Sequence, residues 1–94
     1  MDNVEARALL VGLLRPLRDL AYDELVARYL KQPTSGELTA ASGTWYQYEI
    51  EAAWDNRKRG PLRVMACIDD GGRSAYRPVC EDFIIRSDGS FVGE

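Results

Sequence analysis

Trp45-Tyr46-Gln47-Tyr48-Glu49-Ile50-Glu51-Ala52-Ala53-Trp54 is the stretch on which the fold turns. Tyr46, Tyr48, Ile50, Ala52 and Trp54 alternate with Trp45, Gln47, Glu49, Glu51 and Ala53. Neighbouring side chains of an extended chain point to opposite faces, so a period of two predicts a long strand with one buried face. Upstream the rhythm is different. Val4, Ala8, Val11 and Leu14, with Leu10, Leu13 and Leu17, recur at steps of three and four. That spacing belongs to a helix burying a wide apolar stripe. Residues 3–31 therefore read as helical, with a break near Arg15–Arg18, because Pro16 lacks a backbone N–H and disfavours helix at the residue before it. A second helical segment is expected to start around Asp19 to Tyr22, with Asp19 as N-cap and Asp23 and Glu24 in the first turn, where the helix dipole favours negative charge. Leu25, Val26, Tyr29 and Leu30 form its buried face, Arg28 and Lys31 its last turn, and Pro33 its end.

Downstream of residue 33 the strand signals continue. Thr34-Ser35-Gly36 reads as a loop and Glu37–Ala41 as a short edge strand. Asp55–Gly60 is a charged loop, after which Leu62, Val64, Ala66 and Ile68 alternate with Arg63, Met65, Cys67 and Asp69. If this strand pairs with the one before it, Arg63 shares a face with Glu49 and Glu51. Asp69-Asp70-Gly71-Gly72 is the strongest turn signal, since glycine accepts the positive φ of hairpin turns. A third strand is expected over Ser74–Cys80, with Pro78 confining it to an edge or a bulge. A final hairpin joins Glu81–Arg86 to Ser90–Val92 through Ser87-Asp88-Gly89. Helices followed by a run of strands indicate α+β architecture. The expectation is one domain over 1–94, helical in 3–31 and sheet in 37–92. Its N-terminal helix, kinked or in two segments, packs on a four- to five-stranded antiparallel sheet in a cystatin-like layout.

Bulk composition narrows the functions. The chain has 94 residues, 46% of them hydrophobic and 29% charged, with 15 Asp and Glu against 12 Lys and Arg. That is enough for one core and too apolar for a disordered chain. With two Cys it is no disulfide-rich scaffold, and no apolar run approaches the ~20 residues of a membrane span. The apolar run Ala8–Leu14 is preceded by Asp2 and Glu5 rather than by basic residues, so it reads as a buried helix and not a signal peptide. The setting expected is cytoplasmic, where Cys67 and Cys80 would be free thiols. Simple hairpin registry about Gly71 does not set them opposite one another, and they read as small, partly buried hydrophobes. A redox pair or a weak metal site is the alternative. A pI near 4.9 makes nucleic acid an improbable partner, because phosphate contacts need a basic surface.

No catalytic constellation emerges. The chain has no His, which removes the usual general base, the usual zinc ligand and any Ser–His or Cys–His nucleophile. The doublets Asp69-Asp70 and Glu81-Asp82 fail the calcium-loop spacing and read as turn acids, and no metal or cofactor is expected. Gly71-Gly72 with Arg73 lacks the following helix that a phosphate loop requires. Arg57, Lys58, Arg59 and Arg63 make one basic cluster, which as a patch would steer an acidic protein partner or, with Trp54 stacking on a base, serve an RNA or DNA accessory. Trp45 falls among polar neighbours and is an interface candidate with Gln47 and Glu49. These features favour a non-enzymatic protein-binding module that self-associates through its sheet. The alternative is a small-molecule-binding protein or minor enzyme. Its pocket between helix and sheet would be lined by Tyr46, Tyr48, Trp54 and Tyr29, with Asp70, Arg73 or Arg77 orienting a polar group.

Ile68-Asp69-Asp70-Gly71-Gly72, then Arg73 and Pro78, then Asp82-Phe83-Ile84 and Asp88-Gly89-Ser90-Phe91-Val92-Gly93-Glu94, resembles the C-terminal pattern of small uncharacterised bacterial proteins. The resemblance covers residues 20–94. It implies a bacterial cytoplasmic setting with a natural end at Glu94, and it brings no activity or catalytic residues with it.

Overall fold

The computed structural model describes residues 1–72 and 77–94. Helix α1 spans Asn3–Leu14, a single 3₁₀ turn spans Pro16–Asp19, and helix α2 spans Tyr22–Tyr29. Among the described residues four strands follow: β1 Thr34–Thr39, β2 Trp45–Trp54, β3 Leu62–Asp69 and β4 Val79–Ile85. They pair antiparallel in chain order, β1-β2-β3-β4. The architecture is α+β: α1 lies over β3 and β4, and α2 lies over β2 and β3.

Local chemistry explains most element boundaries. Asp2 Oδ1 accepts from the N–H groups of Val4 and Glu5, capping α1. Pro16 converts the helix to a 3₁₀ turn at the expected break. Asp19 lies inside that turn and does not cap α2; the N-cap is Ala21, with no side-chain bond. The apolar stripe of α1 also differs from the sequence reading. Ala6, Leu10, Leu14 and then Leu17 are buried, whereas Val4 is 82% exposed and Val11 48% exposed. Both stripes obey helical spacing, and the docking angle of α1 on the sheet selects between them.

The strands need three corrections. Residues 34–36 are strand, not loop. Gly36 stands opposite Tyr48, and a Cβ at Gly36 would lie 2.4 Å from the Tyr48 hydroxyl oxygen, so glycine marks a close approach rather than a turn. Residues 79–80, expected to end a separate strand over 74–80, belong to the strand Val79–Ile85; residues 74–76 lie outside the described residues. After it, Phe91 bridges Ile85 and the Val92 N–H donates to the Ile84 carbonyl, 2.9 Å. This makes the final hairpin a single bridge across the Asp88-Gly89 turn.

The third correction concerns the cysteines. Cys67 and Cys80 are not free thiols: they stand directly opposite on β3 and β4, 4.1 Å apart at Cα, and form a disulfide. Registry centred on Gly71 fails because Ile68 pairs with Val79, leaving a connection over 70–78 longer than a tight turn.

The core lies between helices and sheet. Leu10, Leu25, Tyr46, Leu62, Val64 and Ile68 are its largest fully buried side chains. On β2 the parity is as the sequence predicts, with Tyr46, Ile50 and Ala52 buried and Tyr48 and Trp54 half-buried. Among the described residues no helix covers the opposite face of the sheet, an arrangement open to antiparallel sheets.

Candidate functional site: the open face of the sheet

Strand register decides which side chains share the open face. Ser35 pairs with Glu49 and Glu37 with Gln47 across β1 and β2; Glu49 pairs with Cys67 and Gln47 with Asp69 across β2 and β3; Cys67 pairs with Cys80 across β3 and β4. Alternation places all of these on one side. There Ser35, Glu37, Gln47, Glu49, Cys67 and Asp69 line a cleft of about 650 Å³ with Gly36, Tyr48 and Pro78. The cleft crosses the strands, and its carboxylates come from Glu37, Glu49 and Asp69. Asp69 Oδ1 accepts from Gln47 Nε2 at 2.7 Å and from the Gly71 N–H at 2.8 Å, which joins the turn to the sheet face.

Further along the same face, Arg63 donates to Asp55 at 2.7 Å and also to Asp82. These two carboxylates raise its pKa further. Arg63 does share a face with Glu49 and Glu51, as the pairing argument expects, but Asp55 and Asp82 take its charge.

Trp45 opens β2 and is 40% exposed. Its ring lies over the turn: a Cβ at Gly71 would approach Trp45 Cζ3 to 2.9 Å. Of the interface candidates, Gln47 and Glu49 line the cleft and Trp45 stands at the strand end beside it. Of the ligand candidates, Tyr46, Tyr48, Trp54 and Tyr29 lie in the core or pack against it. Tyr46 is fully buried, its hydroxyl donating to Glu5 Oε1 at 2.7 Å. Burial, that hydrogen bond and the Glu5 charge push its pKa up to about 12. Trp54 faces the helices, 6.3 Å from the Tyr22 ring. Tyr48 packs against the core with its ring across Gly36, and the residue also borders the cleft. Arg77 is exposed, and Arg73 lies outside the described residues. In the basic cluster, Arg57, Lys58 and Arg59 are exposed in the β2–β3 loop, while Arg63 is held on the sheet.

Sequence reasoning missed Ser35, Glu37, Cys67, Asp69 and Pro78 as lining residues. The parity of the 62–69 strand held a usable signal, since it sets Cys67 and Asp69 beside Glu49 and Gln47 once a hairpin is assumed. The carboxyl doublets are split by the fold. Asp69 and Asp70 accept from Gly71 and Gly72 backbone N–H groups, and Glu81 and Asp82 pair with Arg7 and Arg63 on opposite faces. Among the described residues, no group of three or more Cys, Asp or Glu is placed to hold a metal ion, and no helix is long and apolar enough to cross a membrane.

No protein-family model, curated protein or solved structure matches this chain.

Proposed function

We propose that this protein is a small non-enzymatic protein-binding module that meets a cationic segment of its partner with the open face of its sheet. The observation that carries the reading is the cleft on that face, lined by Glu37, Glu49 and Asp69 and flanked by Trp45. A large aromatic anchor next to a charged rim is the composition of a binding hot spot. The net charge of -3 adds a field that steers cationic partners. The space between helices and sheet supports the small-molecule alternative less well, because Leu10, Leu25, Tyr46 and Ile68 fill it.

Amide shift mapping with a lysine-rich peptide at ~50 mM salt tests the reading. Shifts should gather at residues 35–37, 45–49 and 67–69 and fade as salt rises. Shifts centred elsewhere count against it.

One observation favours self-association as a second reading. Strand β1 is an open edge, and Thr34–Thr39 holds neither Pro nor Lys, the usual guards against edge pairing. A second copy would add at this edge, since pairing two open faces would oppose Glu37, Glu49 and Asp69 to their own copies. Sedimentation across concentration tests it, and a strict monomer excludes it.

The bacterial cytoplasmic setting is part of the proposal. In a reducing cytosol the Cys67–Cys80 disulfide would form transiently, as redox-active pairs there do, whereas an oxidising compartment would keep it.

A further inference from the structure

We propose that the Cys67–Cys80 disulfide is a thiol-exchange site that takes thiols carried on cationic groups, as on a partner cysteine flanked by lysine or arginine. The disulfide makes the ligand a thiol, and the surrounding carboxylates choose which thiol.

The disulfide lies on the open face. Cys67 lines the cleft and Cys80 is exposed. The S–S bond runs across the sheet from β3 to β4. Its Cys67 end is the one nearer β2, where Glu49 is the directly paired neighbour of Cys67. Thiolates attack disulfide sulfurs along the S–S axis, so a thiolate seated in the cleft meets Cys67 Sγ from the Glu49 side. The incoming sulfur bonds to Cys67 Sγ and the S–S bond breaks. Cys80 leaves with the electron pair as a thiolate at an exposed position, and water protonates it. A second thiolate of the same kind then attacks the incoming sulfur of the mixed disulfide and releases Cys67. Two thiols are thereby oxidised to one disulfide, and the protein pair is reduced to two thiols.

Among the described residues, the charged side chains lining the cleft are all carboxylates. Glu37, Glu49 and Asp69 line the cleft, and Glu51 lies further along the same face. Among the described residues, Glu37, Glu49 and Glu51 form no ion pair within 4.0 Å, and Asp69 is held by Gln47 and the Gly71 N–H. Arg63 is committed to Asp55 and Asp82, and exposed Arg77 precedes Pro78 in the chain. Directly paired side chains on a sheet are about 5 Å apart, well inside the ~10 Å screening length of 0.1 M salt. An anionic thiol meets these carboxylates as like charges, whereas a cationic carrier offsets the charge of its own thiolate.

The test measures reduction of the intact protein by cysteamine, 2-mercaptoethanol and 2-mercaptoethanesulfonate. Rate constants are corrected to thiolate concentration, and the products are alkylated and weighed by mass spectrometry. Cysteamine should react fastest, exceeding the sulfonate by about tenfold at ~10 mM salt and by less than about threefold at ~1 M. Glu49→Gln should narrow the gap while circular dichroism stays unchanged, and Glu37→Gln stands in if Glu49→Gln disturbs the fold. Equal or reversed rates, a gap indifferent to salt, a gap untouched by the glutamine variant, or a purified chain with no disulfide would each overturn the proposal. It does not rest on peptide docking: a lysine-rich peptide that fails to bind leaves the expected order of thiol rates unchanged.

Discussion

The hydroxyl of Tyr46 donates a 2.7 Å hydrogen bond to Glu5 Oε1, tying the first helix to the longest strand at the rim of an apolar interior. The same carboxylate oxygen accepts from Ser42 Oγ at 2.9 Å, so the β1–β2 turn joins the contact.

This contact sets an alkaline limit on stability. Burial first, then the Glu5 hydrogen bond and charge, raise the Tyr46 pKa from 10.0 to about 12. The fold holds the neutral phenol. Its contribution is therefore complete below pH 10 and is lost as pH rises through about 12. At 1.36 kcal/mol per pKa unit the loss is on the order of 2–3 kcal/mol. Urea unfolding at about pH 9 and about pH 11.5 should show the wild type losing stability relative to Tyr46→Phe. Parallel pH profiles would reject the assignment.

The two apolar stripes of α1 separate by mutation. Leu10 is fully buried, so Leu10→Ala should cost about 2–5 kcal/mol. Val4→Ser and Val11→Ser change exposed positions and should stay within about 0.5 kcal/mol. Equilibrium unfolding gives both values, and a large Val11 effect would mean that this face is covered in solution.

Gly71 answers to backbone and neighbour together. Its φ is +84°, and a Cβ there would meet the Trp45 ring at 2.9 Å. Gly43, at φ +91°, has nothing within 4 Å. Gly43→Ala should cost about 1 kcal/mol from the backbone alone, and Gly71→Ala about 1–2 kcal/mol. The two differ in a second readout: tryptophan fluorescence should shift in Gly71→Ala and not in Gly43→Ala.

The disulfide closes a loop with a sequence separation of 13. Loop-closure entropy gives about 3 kcal/mol for a loop of this length. Thermal unfolding of the wild type with and without reductant should show a lower midpoint on reduction. The Cys67→Ala/Cys80→Ala variant should show no such difference.

Legibility divides along the reach of the interaction. The alternation in 45–54 and 62–69 named the correct buried faces, because side-chain direction along a strand is a property of the local backbone. The break at Pro16 was readable for the same reason. Gly36 was misread as a loop because its need for glycine comes from the Tyr48 ring on the neighbouring strand. The stripe of α1 was half wrong because Val4 and Leu10 are equally apolar and helical spacing admits both.

The candidate site follows the same division. Gln47 and Glu49 were legible as outward residues, and Trp45 as the odd aromatic on a polar face. Tyr46 was readable as inward-facing; that its hydroxyl would be satisfied by Glu5 depended on where α1 docks.

Periodicity and proline placement were thus enough to specify helices followed by an antiparallel sheet with one buried face. Pairing Cys67 with Cys80, gathering Glu37, Glu49 and Asp69 around one cleft and choosing the buried stripe of α1 required the assembled chain. Each of these depends on strand register and helix docking, which are set by the summed packing of residues far apart in sequence, and a one-residue slip in register turns every side chain of a strand to the other face.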